Sequence, residues 1–218
     1  MSETSLGQTA NKTLPRFKPT PLGTKQWEDL CRADPLEVCR RALVTWNPEG
    51  FYAIPFLNST YKVFPNRQTV ESDTSDPLTK NPEFCLVLTC YLLLSQDVPE
   101  QSRWVSEKEL REGSLFFTGP HALPAIALVK QFGNDPAAFL AAGRKIGGIE
   151  LPSYGDTAVV FQVLPRISCA CVLWSGDDEF PARASFLFDP SADIHLSLDI
   201  ITAMVRYLVK GLVKAALA

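Results

Sequence analysis

The end of the chain limits its fold most tightly. Ile201, Met204, Val205, Leu208, Val209, Leu212 and Val213 recur at i, i+3, i+4 spacing, while Arg206, Lys210 and Lys214 follow one another at i, i+4 on another face. Burying each large apolar side chain is worth on the order of 1.5 to 3 kcal/mol, so this stripe must find a partner surface. A long amphipathic C-terminal helix docked on a sheet is expected. Its cations lie toward the helix C-terminus, where the dipole favours them. A basic helix lying on a membrane is the alternative, with Tyr207 as its one aromatic anchor.

The surface for that helix is written just upstream. "TAVVFQVL", "ISCACVLW" and "ASFLFD" are β-prone runs separated by turn residues. Earlier, "FYAIPF" and "TYKVF" flank Leu57, Asn58 and Ser59 as a hairpin, and "QTVES" offers a third strand inside an exposed loop over 65–82. Helices are expected from Trp27 through Ala42, broken where Asp34 caps a second helix opening on Pro35, then over 82–95, over "ALPAIALVKQFG" up to Gly133, and from Asp135 to Gly147. Ser106 and Glu109 form a capping box that starts a short helix, and the following "LFF" is expected to be extended. The fold class is thus α+β: a single domain over 25–218, with a mostly antiparallel or mixed sheet packed by several helices. Residues 1–24, rich in Ser, Thr, Lys and Pro, read as a disordered arm without a secretory h-region.

Charge and cysteine usage narrow the function classes. A net charge of −3 and a pI near 5.5 leave no basic footprint for nucleic acid. The longest apolar stretch, Leu86 to Leu94, is too short to span a bilayer. Six cysteines fall in C-x7-C, C-x4-C and C-x-C spacings, none the C-x2-C of zinc and iron–sulfur sites. They read as reduced, buried thiols of a cytoplasmic protein. Cys169 and Cys171, two apart on a strand and so on one face, are the candidates for a redox pair.

Chemistry concentrates in "VLWSGDDEFPARASFLFDPSADIH", residues 172–195. Asp177, Asp178 and Glu179 follow one another between two strands, where consecutive side chains diverge. They suit solvent, a local contact with the backbone or Arg183, or a hard cation gathered by an irregular loop. The D-x-D-x-D-G calcium spacing is absent. His195 precedes the last helix, with Ser197 as its expected N-cap, and the positive end of the helix dipole favours a neutral imidazole there. His121, in "TGPHALP", also precedes an apolar helix. Each histidine is a packing residue or, alternatively, a ligand or base. No G-x-S-x-G, H-E-x-x-H, P-loop or G-x-G-x-x-G is present, and no motif implies a cofactor.

The succession "WEDLCRADPLEVCRRA", "YAIPFLNSTYKV", "RWVSEKEL", "FGNDPAAFLAAGRKIGG" and "LPRISCACVLWSGDDEFPARASFLFDPSADIHLSLDII" resembles the uncharacterised prokaryotic family known as domain of unknown function 3786, over about residues 25–214. The Trp-x-Gly-Asp-Asp-Glu-Phe-Pro run, the "LFD" and the histidine before the last helix carry the likeness most strongly. The resemblance implies no assigned activity. Some members carry a four-cysteine iron–sulfur domain, an association with corrinoid and one-carbon metabolism, but this sequence lacks that domain and its ligands.

Two readings of different class follow. One is a soluble binding or accessory protein that takes a small molecule, cofactor or partner protein in a pocket lined by Trp104, Phe116, Phe117, His121 and Trp174. The other is a metal-dependent hydrolase or transferase using Asp177, Asp178 and Glu179 with His195 as catalytic residues. No metal is expected on the first reading; on the second, the same three carboxylates are the ligands.

Overall fold

A computed structural model describes residues 23–217. The expected arm lies outside them except for Gly23 and Thr24, and Thr24 already opens α1 (Thr24–Arg32). Asp34 then caps α2 (Pro35–Ala42), its Oδ1 accepting from the Leu36 amide at 3.1 Å, with Pro35 in the first turn, where its missing N–H costs nothing.

Four short strands form an antiparallel meander: β1 (Thr45–Asn47), β2 (Phe51–Phe56), β3 (Ser59–Phe64) and β4 (Thr69–Ser72). The β2–β3 register pairs Phe56 with Ser59, leaving Leu57 and Asn58 as a two-residue turn. Leu57 sits at φ 55°, a left-handed conformation that a side chain adopts only when its surroundings hold it there. Its amide donates to Val163 O at 3.0 Å and its side chain packs on the core.

The strongly apolar α3 (Pro82–Leu94) follows, its one charged residue, Glu83, in the first turn, with Asn81 Oδ1 accepting from the amides of Glu83 and Phe84. A helix without a polar face belongs inside, and its middle residues are buried. The Ser106–Glu109 capping box is present, but it closes a single 3-10 turn over Glu107–Glu109 beside β5 (Val105–Ser106).

The "LFF" segment is not extended. Gly113–Phe116 forms the helical turn α4, because a Cβ on Gly113 would stand 2.0 Å from the Glu107 carbonyl oxygen and only glycine lets the chain fold back there. Next come α5 (Ala125–Phe132), α6 (Pro136–Lys145), capped by Asp135, and β6 (Ile149–Glu150).

The strands β7 (Thr157–Leu164), β8 (Ile167–Trp174) and β9 (Arg183–Phe188) build a second antiparallel sheet in the order β5-β9-β8-β7-β6. The strands therefore divide into two sheets, one of four and one of five strands. Every residue of β8 except Trp174 is buried, as a central strand covered on both faces requires. After the turn α7 (Ala192–His195), the chain ends in α8 (Leu198–Leu217).

The α8 stripe is buried except at half-buried Val213, but its main neighbours are α3 and α6 rather than a sheet face. One continuous apolar cluster joins α8, α3 and the inner faces of both sheets, so the architecture is α+β around a single core.

Candidate functional site

The acidic loop is a solvated turn. Asp177, Asp178 and Glu179 are all exposed, and Asp177 Oδ1 accepts from the amides of Phe180 (2.7 Å) and Glu179 (2.9 Å) while its own amide donates to Phe180 O. Those backbone bonds hold its carboxyl below the usual value. Arg183 pairs with none of the three; its guanidinium lies 4.3 Å from the centroid of the Trp174 ring, directly across the strand pair. Among the described residues, no group of three or more His, Cys, Asp and Glu side chains is arranged to hold a metal ion.

His195 is fully buried at the end of α7. Its Nδ1 accepts from the Gln96 amide at 3.3 Å, which leaves the proton on Nε2, and that nitrogen has no hydrogen-bond partner among the described residues. Burial, and after it the positive charge of Arg166, pushes the imidazole below its ordinary value. The neutral form expected beside the last helix is therefore present, with desolvation as its main cause. His121 is exposed and lies 4.7 Å from the Phe116 ring, which in turn meets Phe117 edge-on at 5.2 Å. Trp104 is half-buried. Ring contacts join Phe116, Phe117 and His121 to one another and Trp174 to Arg183, but none among the described residues joins the two groups.

Cys169 and Cys171 do share a face of β8, as the spacing requires, and both are fully buried. Burial pushes the Cys169 thiol well up, away from the reactive thiolate.

A ligand-sized hollow lies elsewhere, in a cleft of about 410 Å³ where the β2–β3 turn, the end of α6 and the last turns of α8 converge. Phe56, Leu57, Leu78 and Ile146 supply apolar walls, and Tyr207, Gly211 and Lys214 present one face of α8 to it. This volume is within the range of small-molecule sites, roughly 300 to 1,000 Å³. Three hydrogen bonds set its outline: Leu57 N to Val163 O, Asn58 Nδ2 to Lys145 O (3.0 Å) and Lys145 Nζ to Ala215 O (3.1 Å). A larger, more polar depression of about 860 Å³ lies between Trp27, β4 and the start of α3 and is bordered by Gly23.

Gly211 is the odd residue of the cleft. In the interior of a helix, glycine costs about 1 kcal/mol relative to alanine. A Cβ at this position would lie 3.7 Å from both Leu57 Cδ1 and Ile146 Cδ1, an ordinary contact, so packing does not require its absence. Its absence widens the cleft between the two walls.

The electrostatics of the rim are uneven. Arg206 is matched by Glu83 at 3.1 Å, but Lys145, Lys210 and Lys214 enter no ion pair among the described residues. Asp76, the carboxylate lining the cleft, already accepts from Tyr61 Oη at 2.6 Å and from the Leu78 amide at 3.0 Å.

Sequence reasoning had the cations as a helix-dipole effect and passed over Gly211. The glycine inside a strong helical pattern was the signal available.

Two antiparallel sheets and their helices around one core define an α+β scaffold, with a ligand-sized cleft beside α8 where the hairpin turn meets α6. The model of the family described as Domain of unknown function (DUF3786) matches residues 34–211, and the chain belongs to that family. No curated protein and no solved structure matches the chain. No helix among the described residues is long and apolar enough to cross a membrane.

Proposed function

We propose that this chain is a non-catalytic binding protein that takes the apolar body of a small molecule into the cleft between the β2–β3 turn, α6 and α8. One observation carries the reading: Gly211 keeps the floor of an apolar, ligand-sized cleft open at a cost in helix stability that packing does not impose. On this reading the protein is an accessory to enzymes. A place in corrinoid or one-carbon metabolism rests on the family resemblance and gives no residue here a role. The cysteines, all free, fit a reducing compartment, and we place the protein in the cytoplasm.

The test uses 1-naphthylamine, a two-ring apolar fluorophore that is neutral at pH 7. It is expected to bind the full chain saturably with enhanced emission. Gly211→Leu is expected to abolish that signal while circular dichroism and thermal unfolding show a folded protein. Gly211→Ala is expected to weaken binding and raise Tm by about 2–4 °C, the equivalent of about 1 kcal/mol in a chain of this size. Undiminished binding by a folded Gly211→Leu protein would overturn the assignment.

A further inference from the structure

We infer that the ligand of this cleft is an organic monoanion, with its charged group at Lys210 and Lys214 and its apolar body over Gly211 between Leu57 and Ile146. The inference rests on the binding role proposed above and adds the chemical class.

The argument starts from how α8 treats its charges. Arg206, one turn before Lys210, is answered by Glu83. Lys210 and Lys214, one and two turns further on, have no carboxylate, although two ammonium groups at i, i+4 repel each other. The third lysine of the cleft is already used, since Lys145 Nζ donates to the Ala215 carbonyl. Asp76, the carboxylate of the cleft, keeps its charge while accepting from Tyr61 Oη and the Leu78 amide, but neither Lys210 nor Lys214 stands within ion-pair distance of it.

The position of Lys210 is set as well, with its Nζ 4.8 Å from the centroid of the Tyr207 ring. Two cations therefore stand at the mouth of an apolar cleft without a carboxylate partner. An anion placed between them would relieve their repulsion, and a hydrocarbon body attached to it would fill the space below. At a water molecule's share of about 30 Å³ per heavy atom, the cleft of about 410 Å³ holds on the order of a dozen such atoms. That is the size of a medium-chain carboxylate or a compact aromatic acid.

Octanoate and 1-octanol, nearly the same size and differing in charge, separate the two layers of the argument. Each is titrated by calorimetry into the full chain at low ionic strength. Octanoate is expected to bind about tenfold more tightly than octanol, as two partly exposed ion pairs allow. Raising the salt concentration is expected to erase most of that advantage. Lys210→Gln with Lys214→Gln is expected to bring octanoate down to the affinity of octanol and leave octanol unchanged, whereas Lys130→Gln on α5 changes neither. If octanol binds as tightly as octanoate, the monoanion inference falls and the apolar site stands. If neither binds, both readings fall. An octanoate advantage that survives the double lysine change refutes the assignment to this rim.

Discussion

Removing Arg166 is expected to destabilise the protein more than any other single surface-reaching side chain, and the structure gives the size of the effect. Arg166 lies in the β7–β8 turn, immediately before Ile167, and is 7% exposed. Its Nε donates to Arg41 O at 2.5 Å, Nη1 to Val98 O at 3.1 Å, and Nη2 to the Asp97 carboxylate at 2.6 Å and weakly to Arg40 O at 3.4 Å. Its own amide donates to Tyr91 Oη, which in turn donates to Ala42 O. The carbonyls of residues 40 to 42 are the ones the end of α2 leaves without intrahelical partners, so Arg166 and Tyr91 together cap that helix from outside. In Arg166→Ala two well-bonded carbonyls lose a charged donor, at about 1 to 2 kcal/mol each. Asp97 is exposed and regains water cheaply. The sum is about 2 to 4 kcal/mol, or a fall in Tm of roughly 4–16 °C for a chain of this length. Arg166→Lys is expected to lose about half as much, because one ammonium cannot reach three diverging acceptors. Urea titration with a fixed m-value measures both. A loss below about 1 kcal/mol in Arg166→Ala would refute the capping role, whatever the hydrogen bonds look like.

Three further outcomes are expected. His195 is neutral when folded, with its value pushed below the ordinary 6.5, so the unfolded chain takes up a proton first as pH falls. Its contribution is therefore complete above about pH 7.5 and is lost between the unfolded and folded values, with a slope of up to about 1.4 kcal/mol per pH unit. Urea midpoints across pH 5–8 should show this slope and His195→Gln should flatten it; equal slopes would mean another group titrates. Asp178→Ala with Glu179→Ala is expected to leave Tm within about 2 °C and to leave unaltered any response to Mg²⁺, Mn²⁺ or Zn²⁺. A cation-induced rise in Tm that this variant loses would restore the acidic loop as a metal site. Of the thiols, exposed Cys31 should react with a disulfide reagent in the native protein, while Cys169 and Cys171 wait for unfolding; native-state labelling of the β8 pair would contradict their burial.

The parts of this fold that the sequence made legible are those whose signal is local. The α8 stripe, the β-prone runs of β7 to β9, and the caps at Asp34 and Asp135 are written within a few residues of the structure they specify. The division into two sheets was not legible, because it depends on which strand ends face each other across more than a hundred residues, as Leu57 and Val163 do. Strands β1, β5 and β6, of two or three residues, are too short to carry a period. The turn at Gly113 was missed because the obstacle is the Glu107 carbonyl, visible only in three dimensions. The same holds for the cleft: its residues come from positions 56–61, 76–78, 145–146 and 207–215, and no motif spans such gaps. The acidic run drew the eye because it is contiguous, yet contiguity made it a turn.

The hydrogen bonds that frame the cleft bear on how it would meet a ligand. The β2–β3 turn is bonded on one side to β7 and on the other to the end of α6, and Lys145 carries the connection on to α8. Each wall is therefore fixed during folding, with no hinge between them and no side chain at Gly211 to reorient. The conformational entropy that a floppy site surrenders when a guest arrives has here already been surrendered. Association with a guest of the right shape should then be fast and accompanied by little change in backbone order, while a guest one ring too large meets a rigid frame and is refused.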